Sequence, residues 1–145
     1  MTRPPRVPRG ALVLVVGVAT LAGCSNVSAL EAKVGTCFTL PGGETVASVK
    51  AVDCSTPHDA QVIATTTLDS PSMPSTQDLD RRAQEFCTEA FGTWVGVPYA
   101  TSSLDLQWWV PTRDSWDRAG DRGITCIAVT PDHSDVSTSF EGSKL

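Results

Sequence analysis

No apolar run in this chain is long enough to cross a bilayer. The best candidate, Ala11 to Ala22, has twelve residues, where a spanning helix needs ~20, and Gly17 and Thr20 weaken it. Basic residues are scarce: 11 Lys and Arg stand against 16 Asp and Glu, a formal charge of −5. Three of the 11 are Arg3, Arg6 and Arg9, and without them eight face 16, or −8. A chain this acidic, with no Lys/Arg cluster after the first residues, excludes nucleic acid and anionic headgroups as electrostatic partners. Histidine occurs only as His58 and His133, and no cysteine pair has C-x-x-C spacing, so a zinc knuckle or thioredoxin-like centre is excluded. A phosphate-cradling loop is also missing: Gly42-Gly43 is a hairpin signal, and Gly120 and Gly123 lack a strand-to-helix context. Ser115 has no glycine-flanked elbow around it. No metal and no cofactor is expected. The single Asn, Asn26, fits the composition of a GC-rich bacterial gene.

What is present begins with Arg3, Arg6 and Arg9, the short apolar run, and then Leu21-Ala22-Gly23-Cys24. A positive n-region, a short h-region and small residues before a cleavage point describe an export signal. A cysteine directly after Leu-Ala-Gly resembles the lipobox of a bacterial lipoprotein. That resemblance implies diacylglyceryl transfer to the thiol of Cys24, which becomes the first residue of the mature protein. Acyl chains at ~0.8 kcal/mol per buried methylene then hold it on the membrane. The expected division is a signal over 1–23, a tether over 24–33, a domain over 34–131 and a flexible tail over 132–145.

Five cysteines make an odd number, which in an exported protein needs an explanation. Lipidation of Cys24 supplies it and leaves Cys37, Cys54, Cys87 and Cys126, an even set in a compartment where disulfides persist.

Beyond the tether, Val34 to Leu40 reads as a strand, followed by the turn cluster Pro41-Gly42-Gly43-Glu44. Thr45 to Cys54 reads as a second strand, and the β-branched run Ala60 to Leu68 as a third. Ser75 caps the one long helix, with Asp78 and Asp80 at the positive end of its dipole. Leu79, Ala83, Phe86, Cys87, Ala90 and Phe91 form a single apolar stripe, and Gly92 is the expected stop. Leu104 to Val110 alternates, with Leu104, Leu106, Trp108 and Val110 on one face and Asp105, Gln107 and Trp109 on the other. Asp114 to Arg118 makes one helical turn around Trp116, and Ile124 to Thr130 is the last strand. From Pro131 the chain is polar.

Four cysteines allow three pairings. Cys37 and Cys54 bracket a turn between neighbouring strands, which leaves Cys87 on the helix for Cys126 on the last strand. The fold class is α+β: a small antiparallel sheet of about five strands, one long helix packed on one face, and two disulfides.

Val34-Gly35-Thr36-Cys37-Phe38 and then Val52-Asp53-Cys54-Ser55-Thr56-Pro57-His58-Asp59-Ala60-Gln61-Val62 resemble the opening of the actinobacterial septum-formation domain family. The second half agrees, with Cys87 in a helix, Pro111-Thr112, Trp116, Gly120-Asp121-Arg122 and Cys126. Two departures stand out. Three residues separate Trp116 from Gly120, one more than usual. Gln61 occupies a place where an acidic residue is common, which leaves a charge partner for His58 unassigned. The resemblance implies an exported or membrane-attached protein with a connection to septum formation, and it implies no enzymatic activity.

Among candidate sites, Pro57, His58 and Asp59 read as a rigid turn in which His58 bonds backbone beside a disulfide. Sequence neighbours rarely converge as nucleophile, base and orienter. His133 falls in the tail, away from any second ligand. Trp109 is more informative. If Trp108 belongs to the core and the other face is wet, Trp109 is at least partly exposed, and exposed tryptophan near arginine is a recurrent binding anchor. Trp109, Arg113, Asp121 and Arg122 form the candidate partner surface, unless Trp109 packs under the Arg113-to-Gly123 loop. The expected function is a non-enzymatic, lipid-anchored envelope module on the extracytoplasmic face of the membrane, binding a protein or cell-wall component. The alternative is an accessory or sensory domain with a small-molecule pocket.

Overall fold

The computed structural model describes residues 25–42 and 47–145. Cys24 and the export signal lie outside the described residues, as do Thr45 and Val46 of the second expected strand. The strands are β1 (Ser25–Ser28), β2 (Cys37–Phe38), β3 (Ser48–Val52), β4 (Ala60–Thr67), β5 (Asp105–Trp109) and β6 (Gly123–Val129). They form one sheet in the order β1-β3-β2-β4-β6-β5, antiparallel throughout. A 20-residue helix, α1 (Thr76–Val95), packs on β4, β5 and β6, and a short helix, α2 (Arg113–Arg118), joins β5 to β6. The α+β architecture stands, with six strands instead of about five. Cys37 is bonded to Cys54 and Cys87 to Cys126, with Cα atoms 5.3 Å apart in each pair. The second bond fastens α1 to β6, and both of its residues are buried.

The extra strand comes from the expected tether. Residues Ser25 to Ser28 pair with Ala51 to Ser48 on β3, and Ala29 and Ala32 are buried beyond them. The first expected strand, by contrast, shrinks to Cys37–Phe38. Gly35 has φ +91°, a left-handed conformation that interrupts a ladder. At the other end, the Leu40 amide donates to the Asp59 carboxylate at 2.6 Å and not to a strand.

Helix α1 starts where Ser75 accepts a hydrogen bond from the Asp78 amide. It does not stop at Gly92. The buried stripe runs on through Phe91 to Val95, and burying Val95 outweighs the roughly 1 kcal/mol that glycine costs inside a helix. The left-handed Gly96 (φ +89°) ends it instead, its amide bonding to the Gly92 carbonyl, an ordinary helix stop.

The polar C-terminal segment also departs from expectation, because it is packed against the domain. Val136 exchanges backbone hydrogen bonds with His58 at 2.9 and 2.8 Å, and Phe140 is fully buried. The amides of Gly142 and Lys144 bond to the carbonyls of Trp94 and Val95 at the end of α1. The apolar anchor is Phe140, hidden in a stretch whose composition is otherwise that of a loop.

Both faces of the sheet carry a core. On the helix side, Leu104, Leu106, Ile124, Cys126 and Ala128 pack with α1 and Phe140. On the other side, Phe38, Val49, Ala60, Val62, Ile127 and Val129 form a second core with Ala32. Phe38 and Trp109 stand on strands three places apart, ~14 Å in a flat sheet, yet their ring centroids are 5.7 Å apart. The sheet therefore curls around this second core. On Leu104 to Val110, Asp105 and Gln107 are exposed as expected, Trp108 packs toward the helix, and Trp109, half-buried, packs into the concave side.

Candidate functional site

Curling brings the two outer strands toward one another. Among the described residues, strands β1 and β5 each have one neighbour, and residues at their ends line a common cleft of about 400 Å³. One wall is Ser28, Ala29, Leu30 and Ala47. The other is Trp109, Val110 and Thr112, continued by α2 and by Asp121, Gly123 and Thr125. The register staggers the two walls. A central row runs Ser25–Ala51–Phe38–Ala60–Val129–Asp105. The Ser28–Ser48 pair lies beyond it on one side and the Trp109–Thr125 pair beyond it on the other, so the walls meet only because the sheet curls with its strands tilted.

The second wall is rigid for local reasons. Thr112 and Ser115 make a reciprocal capping box at the start of α2, satisfying two amides that the helix leaves free. Ser115 also donates to the Asp121 carboxylate at 2.8 Å, and the Gly123 amide donates to the same group at 2.9 Å. Gly120, at φ +65°, allows the intervening turn. The Arg122 guanidinium lies 3.5 Å from the Trp116 ring centroid and donates to the carbonyls of Trp116 and Asp121. Trp116 is buried beneath it.

Of the four residues expected at a partner surface, Trp109 and Asp121 border the cleft. Arg113 lines an adjoining groove with Trp108, Trp109 and Pro111, exposed and 3.9 Å from Asp117. Arg122 is committed to Trp116. Sequence reasoning missed Ala29 and Leu30, which lay in the expected tether. Leu30 is 55% exposed at the cleft, and the only signal for it was the alternation of Val27 with Asn26 and Ser28.

The expected Pro57-His58-Asp59 turn leads into the start of β4. His58 is fully buried; its Nδ1 lies 2.8 Å from the Thr56 carbonyl, and its Nε2 has no hydrogen-bond partner among the described residues. That assigns the proton to Nδ1, inferred from the network. Asp59, also buried, holds the Leu40 amide and lies 3.2 Å from Nδ1 of His133. Ligand atoms of Cys37, Cys54 and His58 approach within 4.8 Å of one another. Both sulfurs are in the disulfide, so neither is a thiolate able to bind metal.

A family model described as septum formation matches residues 10–142. The chain belongs to the septum-formation family. No curated protein and no solved structure matches it. Membership supports a link between this septum-formation protein and cell division. Its two disulfides are consistent with an extracytoplasmic location. Among the described residues, no helix is long and apolar enough to cross a membrane.

Proposed function

We propose that this septum-formation protein is a lipid-anchored, non-enzymatic envelope module that holds an extended segment of an envelope protein in the cleft between β1 and β5. The observation that carries this reading is the juxtaposition of two singly paired strand edges around a cleft walled by Trp109 and Leu30. Unpaired strand edges offer backbone donors and acceptors to a further strand, and a half-buried tryptophan supplies the apolar anchor. Burial of the His58 ring favours a non-enzymatic role, because a general base must reach its substrate. Anchoring rests on the lipobox at Cys24, and acylation there supplies the membrane contact.

The test is Trp109→Ala. Loss of partner crosslinking through Leu30, with melting temperature unchanged, supports binding. A large fall in melting temperature with crosslinking intact makes Trp109 a packing residue and overturns the reading. A Cys24→Ala protein that stays in the membrane without acyl label refutes the anchor. The cleft volume also falls within the range of small-molecule sites, and a compound that fills it without a protein partner would favour a sensory domain instead.

A further inference from the structure

Apart from the cleft between β1 and β5, here called the mouth cleft, the helix side of the sheet carries a groove of about 500 Å³ between α1 and β4. Its floor exists because of an irregularity in the ladder. The register shifts between Val62 and Ala64, so that Ile63 and Ala64 both face α1. On the helix, Phe86, Ala90 and Trp94 follow one another at i, i+4 and i+8, half-buried beside the fully packed stripe. Two carboxylates stand on the rim, Glu89 from α1 and Glu141 from the C-terminal segment, and both are exposed. Among the described residues, no Lys, Arg or His lines the groove, and neither glutamate has an ion pair within 4 Å. The indole N–H of Trp94 is buried with no acceptor among the described residues. The groove thus combines an apolar, aromatic floor with uncompensated negative charge.

We infer that this groove is a docking site for an arginine side chain presented by a protein partner. Guanidinium matches the floor and the rim: its plane stacks on tryptophan, its charge answers the carboxylates, and its aliphatic stem covers apolar floor. It has no acceptor for the Trp94 N–H, which a backbone carbonyl of the partner takes. The chain already uses that chemistry internally, where Arg122 lies over Trp116. Charge complementarity selects this occupant over a neutral apolar side chain, which would leave Glu89 and Glu141 unanswered. The site lies apart from the mouth cleft and stands or falls independently of it.

The chain has four tryptophans, so 5-fluorotryptophan labelling of the full-length protein in lipid nanodiscs gives four fluorine resonances, assigned by single Trp→Phe variants. The probe is an acetylated Leu-Arg-Leu amide, with the neutral isostere Leu-citrulline-Leu as its control. The Trp94 resonance is expected to move saturably with the arginine peptide. Affinity should fall about fivefold for the citrulline peptide and by a similar factor in Glu89→Gln/Glu141→Gln, in keeping with exposed ion pairs and cation–π contacts. An unchanged Trp116 resonance shows that the variant remains folded. Equal response to citrulline, no movement of Trp94, or movement confined to Trp109 would each overturn the inference. The last would place the peptide in the mouth cleft and leave the proposed function standing.

Discussion

Gln61 is buried in β4, and both ends of its amide are engaged. Nε2 donates to the Gly35 carbonyl at 3.2 Å and to Ser139 at 3.0 Å. Oε1 accepts from the Phe140 amide at 2.7 Å and from the Ser139 hydroxyl. One side chain thereby joins the turn before β2 to the C-terminal segment. Replacing it by leucine leaves the Phe140 amide and the Gly35 carbonyl without partners, and should cost about 2–3 kcal/mol, read as a lower urea midpoint. Gln61→Glu makes a sharper test. A neutral carboxyl can donate to Gly35 as the amide does, but a buried carboxylate cannot. Burial raises that carboxyl in the folded state, so its stability should fall as pH rises through the raised value. A pH-independent Gln61→Glu protein would show that the site admits water. From sequence, Gln61 was noticeable as the uncharged residue where an acidic one is common, yet its role depends on Phe140, 79 positions away.

At the level of elements, α1 was the most legible. Its cap, stripe and charges are local in sequence, and period-3.6 burial survives any tertiary arrangement that leaves one side buried. Ser75→Ala should cost about 1 kcal/mol by denaturant unfolding. Within the first turn, the Asp78 carboxyl is held below its ordinary value, first by the hydrogen bond from Arg81 and further by the charge of Arg82, against some desolvation. A lowered carboxyl stabilises the fold above the unfolded value of ~4, and the contribution is lost as pH falls through the lowered one. Asp78→Asn should therefore flatten the acid limb of the stability–pH curve while leaving its neutral plateau nearly flat. The strands were harder to read. Strand β2 is two residues long because Gly35 and the Asp59–Leu40 bond truncate it, and β1 is a strand only because β3 offers it an edge. Neither cause is local.

For the whole molecule, what the sequence concealed was that the sheet carries a core on each face. Alternation on Leu104 to Val110 points two tryptophans in opposite directions, which a one-sided sheet turns into one core and one surface residue. Curvature supplies a second core and changes that conclusion, and curvature is set by strand order and by contacts such as Phe38 with Trp109. The disulfide pairing was legible because it joins elements already near one another. The C-terminal segment was not, since a single phenylalanine among serines gives no period. Its packing makes the last prediction a direct one. Phe140→Ala empties a fully buried site and should cost about 3–5 kcal/mol, a large share of the ~5–15 kcal/mol typical of a domain. Truncation after Thr130 goes further. It removes Phe140, breaks the Val136–His58 bridge, strips Gln61 of two partners, and frees the Trp94 and Val95 carbonyls at the end of α1. The truncated chain should lose cooperative unfolding by circular dichroism. In the intact chain, the Val136 and Phe140 amides should exchange as slowly as those of β6. A truncated protein that melts where the intact one does would restore the loose tail that composition alone suggests, and would remove one wall of the arginine groove with it.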